Sequence, residues 1–365
     1  MSTSIGQYGA SAASLVLSAG VENLTNAQTN LAWQTSNNGI ISETYAGLGT
    51  SRSSVFELTP KITQVAAWQS NITNAQNSLT VTSTALTQIV SLAQSMATDL
   101  LSIGGSTESS TVSTVSTEAS STLSQLATIL NTSTGTGYAF AGQTSTEAPV
   151  NDPTSVATSS ISTQIANTIS ALASGSSVDD VLQQATTLMN GDSSIFSSTI
   201  SDPTSATASL SLAKSQQTST VTGDSTTSTY GVVATQGSAT DASSTSTGSP
   251  IKDLLRDMML ISGMSGMSST STGYSDLVTQ LHTSLVNTTN QIINMETTVG
   301  AQQNALTSRS TLLTNTTTAL TTQLDDARTT DIAQVAIQTT NVQTSLKASF
   351  MLIADMKDMT LASYL

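Results

Sequence analysis

Residues 278–327 read VTQLHTSLVNTTNQIINMETTVGAQQNALTSRSTLLTNTTTALTTQLDDA, and apolar side chains return in this stretch every seven residues. The companion track of the heptad is weaker, since it includes Gln302, Arg309 and Thr316. A heptad repeat predicts a long α-helix that packs along a second helix with a slight supercoil. We therefore expect a tightly packed seam along the apolar track and a second, more hydrated seam along the companion track. The repeating positions are Val278, Leu285, Ile292, Val299, Leu306, Leu313, Leu320 and Ala327.

A second heptad run begins at Ile62 and continues to Leu100, where Gly104 and Gly105 end it. One long helix from each half of the chain predicts a mainly α fold, an elongated antiparallel helical bundle or coiled coil built from both chain ends. The predicted seam of this bundle consists of Val65, Ile72, Leu79, Leu86, Leu285, Ile292, Val299, Leu306, Leu313 and Leu320.

Shorter heptad stretches occupy the two ends of the chain, at residues 13–31 and 332–356. Neither stretch can bury its apolar stripe alone, and isolated helices rich in Thr, Ser and Asn are marginal in water. We therefore predict that both ends are disordered in the monomer and fold when they join one subunit to the next. The candidate assembly interface consists of Leu17, Leu24, Leu31, Val335, Val342, Leu346, Ile353 and Met356.

The middle of the chain, from about residue 132 to 272, is rich in Ser, Thr and Gly and has almost no period. It predicts a small β-rich or irregular insertion, and the sequence leaves open whether this is folded or partly disordered. Only Val178–Met189 and Ile251–Ile261 predict helices within it. The expected domains are residues 1–60 (assembly helix and loop), 61–135 and 275–330 (the two bundle halves), 136–274 (variable middle) and 331–365 (C-terminal assembly helix).

Composition excludes several classes of function. Nine basic and 23 acidic residues leave a net charge of −14, which argues against binding to nucleic acid or to anionic lipid surfaces. Cysteine is absent, so disulfides, thiolate metal sites and thiol nucleophiles are excluded. No apolar stretch is long enough to predict membrane insertion, and no basic region before Arg52 suggests a Sec-type signal peptide.

Residues that could support catalysis are few. His282 is the single histidine and has no second imidazole or thiolate with which to share a metal. The pairs Asp179–Asp180 and Asp325–Asp326 are adjacent, and neighbours on a helix diverge by about 100°, so a helix-terminal or interface role is favoured. Gly47 and Gly49 indicate turns rather than a phosphate-binding loop. We predict no catalytic residue, metal site or cofactor, and hence a protein that is not an enzyme.

Three segments resemble the flagellin family. The C-terminal stretches LDDARTTDIAQVA (324–336), VQTSLKASF (342–350) and LASYL (361–365) are similar to its C-terminal signature, most closely in the hook–filament junction branch. GYAFAG (137–142) resembles an element of that branch which starts a β-hairpin after the first long helices. YAGLGTSR (45–52) resembles a variant of the N-terminal region, although the commoner element there is absent. The resemblance covers about residues 1–145 and 275–365.

The resemblance implies a structural subunit of the bacterial flagellum, the third hook-associated protein, which joins hook to filament. Its expected partners are further copies of itself, neighbouring hook-associated proteins, flagellin and an export chaperone. It implies an extracellular location, reached through the flagellar type III export apparatus without a cleaved signal peptide. One alternative is flagellin itself, the main filament subunit of the motility organelle. A second, of another class, is a secreted Ser/Thr-rich coiled-coil adhesin.

Overall fold

A computed structural model describes residues 5–241 and 244–362, and the side chains of residues 15–241 and 244–355. In the described part the fold is mainly α with one small β-hairpin, as the heptad patterns predict. The α-helices are α1 (Ile5–Ser36), α2 (Arg52–Ile103), α3 (Ser109–Leu130), α4 (Ser160–Thr168), α5 (Val178–Gly191), α6 (Ala206–Ser215), α7 (Pro250–Ser262), α8 (Tyr274–Arg328) and α9 (Ile332–Ala362). Short 3-10 helices cover Tyr45–Ser51, Val156–Thr158 and Ile169–Ser174, and the strands are β1 (Thr218–Gly223) and β2 (Thr226–Tyr230).

The chain divides into two compact units. The terminal unit comprises Met1–Ala67 and Leu313–Leu365, and the middle unit comprises Trp68–Leu312. Both α2 and α8 contribute residues to each unit. In the residues that the structure describes, no helix is both long and apolar enough to cross a bilayer.

In the middle unit α2 and α8 run antiparallel. Gln76 Nε2 donates to Thr307 Oγ1 over 2.9 Å, and farther along, Thr87 Oγ1 donates to Glu296 Oε1 over 2.7 Å. The seam between these hydrogen bonds is apolar, and each fully buried side chain in it contributes roughly 1.5–3 kcal/mol. The predicted seam residues in this unit are all at most 2% exposed: Ile72, Leu79, Leu86, Leu285, Ile292, Val299 and Leu306. In the terminal unit Val65 and Leu313 are buried and Leu320 is half-buried.

The polar companion track of α8 holds the β-hairpin. Gln302 Oε1 accepts a hydrogen bond from the Gly231 amide over 3.0 Å, and Arg309 Nε donates to the Thr222 carbonyl over 2.9 Å. β1 and β2 pair antiparallel with Thr218 opposite Tyr230. Two polar residues of the weak heptad track, Gln302 and Arg309, therefore bind backbone groups in or next to the hairpin.

Residues 136–274 are more helical than their Ser/Thr-rich texture indicates. The two predicted helices are present as α5 and α7, but α4 and α6 were not expected, and strand pairing is confined in the described residues to the hairpin and isolated bridges. Serines begin the short helices: Ser159, Ser177 and Ser205 each accept a backbone N–H hydrogen bond as N-caps. The GYAFAG element forms one isolated bridge, Ser133 with Tyr138, rather than a hairpin ladder.

Helix α7 is the centre of the middle unit, because every side chain from Pro250 to Ile261 is buried. It packs against α3, α4 and α5. Ser116 of α3 donates its hydroxyl to the carbonyls of Ile261 and Ser262, which satisfies acceptors at the C-terminal end of α7. A helix buried on all faces is typical of the core of a larger domain.

The terminal unit is built on the pair α1 and α9. Ile40, just after α1, and Thr329, just before α9, form an antiparallel bridge, and the Ile41 amide donates to the Arg328 carbonyl over 2.8 Å. Since α1 ends and α9 begins at this bridge, and the two helices are in contact, they run antiparallel. Gly39, at φ +83°, permits the turn between α1 and the bridge.

Candidate assembly surface

The structure brings the predicted interface residues together within one chain. Leu31, Val335 and Leu346 are buried, and Leu17, Leu24 and Val342 are half-buried, because the apolar stripes of α1 and α9 pack against each other. Ile353 is 37% exposed, and the side chain of Met356 lies outside the described residues. Much of the predicted stripe is thus occupied inside the chain, and a surface for other copies has to come from other faces.

Other faces of the same helices carry exposed apolar side chains. On α9, Phe350 is 56% exposed, Met351 68% and Leu352 51%. On α1, Leu15 and Val16 are 68% and 74% exposed. Successive residues on a helix point about 100° apart, so the run from Phe350 to Ile353 makes one turn of α9 apolar around most of its circumference. Exposed apolar side chains that are grouped in this way are typical of an interaction surface.

A hollow of about 350 Å3 lies in the terminal unit where the loop after α1 meets the start of α2 and the end of α8. We call it the aromatic hollow. Its walls include Trp33, Glu43, Tyr45, Leu48, Leu324 and Arg328. The ring of Tyr45 packs edge-on against that of Phe56, with centroids 6.3 Å apart, and both rings are largely exposed.

The backbone of residues 37–51 shapes this hollow. A Cβ atom at Gly47 would lie 2.1 Å from the Ser42 hydroxyl, so the loop can fold this tightly only with glycine there. Gly49 has φ +56° and interrupts the 3-10 helix Tyr45–Ser51. The sequence predicts turns at Gly47 and Gly49, and the structure places both within this 3-10 helix, in which Gly49 is the non-helical residue.

The middle unit contains a buried polar centre on α7. Arg256 donates to Asp257 Oδ1 over 2.6 Å, to Asp253 Oδ1 over 3.1 Å and to Thr186 Oγ1 over 2.8 Å. It also donates to the Thr245 carbonyl. Burial by itself lowers the pKa of Arg256, but the carboxylates of Asp257 and Asp253 outweigh it, so the pKa is raised. The guanidinium therefore stays charged and joins α7 to α5 and to the loop before α7.

Lys252 lies on the same helix, and its buried ammonium group donates hydrogen bonds to serine hydroxyl groups instead of to water. Its Nζ atom is 3.1 Å from Ser201 Oγ and 3.1 Å from Ser209 Oγ, and it lies 5.8 Å from the centre of the Phe196 ring. Burial lowers the pKa of Lys252 to about 8. A lysine beside two serines has the groups of a nucleophile and its base, but all three side chains are at most 3% exposed, so this arrangement positions an ammonium group and does not present it to a substrate.

The sequence reasoning missed the polar centre. A signal was present, because two basic and two acidic residues fall within six positions, 252–257, in a chain of which only 9% is charged. Leu254 and Leu255 separate two adjacent pairs of opposite charge, and the surrounding apolar pattern predicts only a helix. The partners could not be found in the same way, since Thr186, Thr245 and Ser284 come from three distant segments.

The remaining candidate residues have structural partners. Asp180 accepts hydrogen bonds from the Ser177 amide and hydroxyl in a capping box, and the hydrogen bond from the Ser177 side chain lowers the pKa of Asp180. In the last turn of α8, Oδ1 of Asp325 lies 3.1 Å from Nη2 of Arg328. The helix-terminal role predicted for these aspartates is confirmed. His282 is half-buried on α8, and among the described residues no cluster of three His, Asp or Glu side chains could hold a metal ion.

Comparison with known proteins finds no family model, no curated protein and no solved structure that matches this chain. Arguments about its function therefore depend on the sequence elements and on the surfaces described above.

Proposed function

We propose that this chain is a structural subunit of the bacterial flagellum, a hook–filament junction protein that polymerises through its terminal helices. The observation that carries the proposal is the exposed apolar run from Phe350 to Ile353 on α9, which lies in the same unit as the exposed Leu15 and Val16 of α1. The family resemblance of residues 324–336 and 342–350 favours the flagellar setting for such a polymer.

The exposure of this run is costly for a chain that remains alone in water. Each large apolar side chain moved from water into an interface contributes roughly 1.5–3 kcal/mol before the costs of association. Four successive exposed apolar side chains therefore strongly favour assembly. The acidic surface of the whole chain, with a net charge of −14, opposes nonspecific aggregation and leaves specific packing as the outcome.

The proposed setting determines the partners. Further copies of the chain form the polymer, hook-associated proteins and flagellin adjoin it, and an export chaperone shields the terminal helices before assembly. The subunit is placed outside the cell, at the flagellum, after type III export. The buried polar centre lies in the middle unit, whereas the exposed apolar run of α9 lies in the terminal unit.

Sedimentation of the purified chain tests polymerisation directly. The wild-type protein should form pelletable polymer above a threshold concentration, and Met351→Asp should raise that threshold at least tenfold, because it places a charge in the proposed interface. Gln338→Glu adds the same charge to an exposed polar position of α9 and serves as the control. A wild-type chain that stays monomeric at every concentration would contradict the proposal.

Immunogold electron microscopy of intact flagella tests the location. A few copies at the base of the filament support the junction protein. Labelling along the whole filament would instead support the alternative that the chain is flagellin, and labelling of the cell surface away from flagella would support the adhesin.

A further inference from the structure

Two unlike surfaces of the terminal unit complement each other, and the following inference rests on the proposed function. The first surface is the aromatic hollow. The second is the outer face of α9, defined by Lys347, Met351 and Asp355, which are spaced by four residues and so share one side of the helix. All three side chains are exposed, and Phe350 and Leu352 flank them.

The outer face points away from α1. In this part of α9 Leu346 is buried, and Val342 and Ser349 are half-buried. At 100° per residue, Met351 lies on the opposite side of the helix from Val342 and more than a third of a turn from Leu346. Packing of α9 on α1 therefore leaves the outer face free to meet another molecule.

The composition of the hollow is typical of a binding hot spot. Trp33, Tyr45 and Arg328 line it, in a chain with only two Trp and six Tyr residues. Trp, Tyr and Arg are the residues that carry most binding energy at protein interfaces. In addition, the Nε atom of Arg328 is shielded from solvent and has no hydrogen-bond partner, although its Nη2 atom pairs with Asp325.

The charges of the two surfaces are complementary. The hollow has one acidic wall residue, Glu43, and one basic wall residue, Arg328, whose Nη2 atom also lies 3.1 Å from Asp325 Oδ1 of the same chain. The outer face of α9 has a basic residue, Lys347, and an acidic residue, Asp355, on either side of the apolar Met351. Lys347 and Asp355 are eight residues apart, or about 12 Å along the helix.

The two surfaces cannot meet within one chain. The hollow lies beside Arg328, immediately before the start of α9 at Ile332, whereas Met351 is 19 residues farther along that helix. At 1.5 Å per residue this places Met351 about 28 Å from the start of α9. A contact between these two surfaces therefore has to join two copies.

We propose that the outer face of α9 from one copy docks in the aromatic hollow of the next copy, with Met351 in the hollow, Lys347 against Glu43 and Asp355 against Arg328. Because the two surfaces differ, the contact is head-to-tail and leaves one free hollow and one free outer face at the ends of every chain of subunits. Such a contact can repeat from one subunit to the next. Successive subunits are then displaced by about 28 Å along α9.

The absence of cysteine allows a direct crosslinking test. Chains carrying Tyr45→Cys are mixed with chains carrying Met351→Cys, assembled and treated with a short bis-maleimide. We expect covalent dimers at least tenfold above those from either variant alone. Ser345→Cys, exposed on a flank of the same helix, replaces Met351→Cys as the matched control and should give none. Equal crosslinking from Ser345→Cys, or assembled material without dimers, would overturn the inference.

Charge reversal provides a second test. Glu43→Lys and Lys347→Glu should each raise the concentration needed for polymerisation about fivefold, and the double variant should restore the wild-type value. Failure of the double variant to recover would argue against this pairing. If wild-type chains pellet while both tests fail, only the docking geometry is wrong. If wild-type chains do not assemble at all, the proposed function and this inference both fall.

Discussion

The Nη2 atom of Arg256 donates to Oδ1 of Asp257 over 2.6 Å, and neither side chain is more than 1% exposed. Asp257 also accepts from the Ser284 hydroxyl over 2.6 Å, so this pair joins α7 to α8 inside the middle unit. Burying two charges is costly, and the gain from pairing them approximately offsets this cost. The pair is thus important less for net stability than for fixing which segments surround α7.

Removal of one charge from the buried Arg256–Asp257 pair should strongly destabilise the middle unit. Arg256→Met leaves Asp257 and Asp253 without their cation in the core, and we expect the free energy of unfolding of the middle unit to fall by about 3–5 kcal/mol. Urea denaturation followed by circular dichroism measures the change. Lys61→Met removes a cation from the exposed pair with Glu57 and should leave the urea midpoint unchanged. Equal midpoints for Arg256→Met and wild type would show that the cluster is not formed in solution.

Lys252 should make stability depend on alkaline pH. Burial lowers the pKa of Lys252 in the folded chain to about 8, from its ordinary value of 10.5, although Asp192 and Asp253 act in the opposite direction. Between these values the unfolded chain binds more protons than the folded chain, so folding becomes more favourable as pH rises from about 8 toward 10.5. The gain from this residue is up to about 3 kcal/mol.

A comparison of variants isolates that contribution. Lys252→Met removes the ammonium group and should lose the rise in unfolding free energy between pH 8 and 10, whereas Lys214→Met changes an exposed lysine and should keep it. Urea midpoints measured across this range give the result. Parallel curves for wild type and Lys252→Met would mean that Lys252 is not desolvated as the structure has it.

Acidic substitutions on α9 should separate assembly from folding. Leu346→Asp places a carboxylate in the seam with α1, and Ile353→Asp places one in the exposed apolar run. We expect both variants to remain in the supernatant after sedimentation while the thermal unfolding of the middle unit is unchanged. Normal incorporation of Ile353→Asp into polymer would show that the exposed run of α9 does not lie in the interface, whereas normal incorporation of Leu346→Asp would show that assembly does not depend on the packing of α9 against α1.

Amide hydrogen exchange tests the prediction that both ends of the chain are disordered in the free monomer. Amides of α1 and α9 should exchange rapidly in dilute monomer and slowly in the polymer, because few of the side chains described for these two helices are buried. Amides of α7 should be protected in both states, since that helix is covered on all sides. Equal protection of α1 and α7 in the monomer would contradict the prediction.

The long helices and their seam follow from the sequence alone. Ile72, Leu79, Ile292 and Val299 are buried where the heptad pattern predicts, because a repeat of seven marks one face of a helix whatever covers it. Helices α5 and α7 also follow from local pattern, and the helix-terminal role of Asp180 follows from its neighbours. These features depend on residues a few positions apart, whose relation in space is set by the helix itself.

Only the tertiary structure decided which partner covers each apolar face. The sequence marks stripes on α1 and α9 and leaves open whether they join two copies or one chain, and in the structure Leu31 and Val335 are buried within one chain. The same reason applies to Arg256, whose partners Thr186 and Ser284 lie 70 and 28 positions away, and to the hollow formed by Trp33, Tyr45 and Arg328. Periodicity specifies a surface, whereas a contact between distant segments depends on packing of the whole unit.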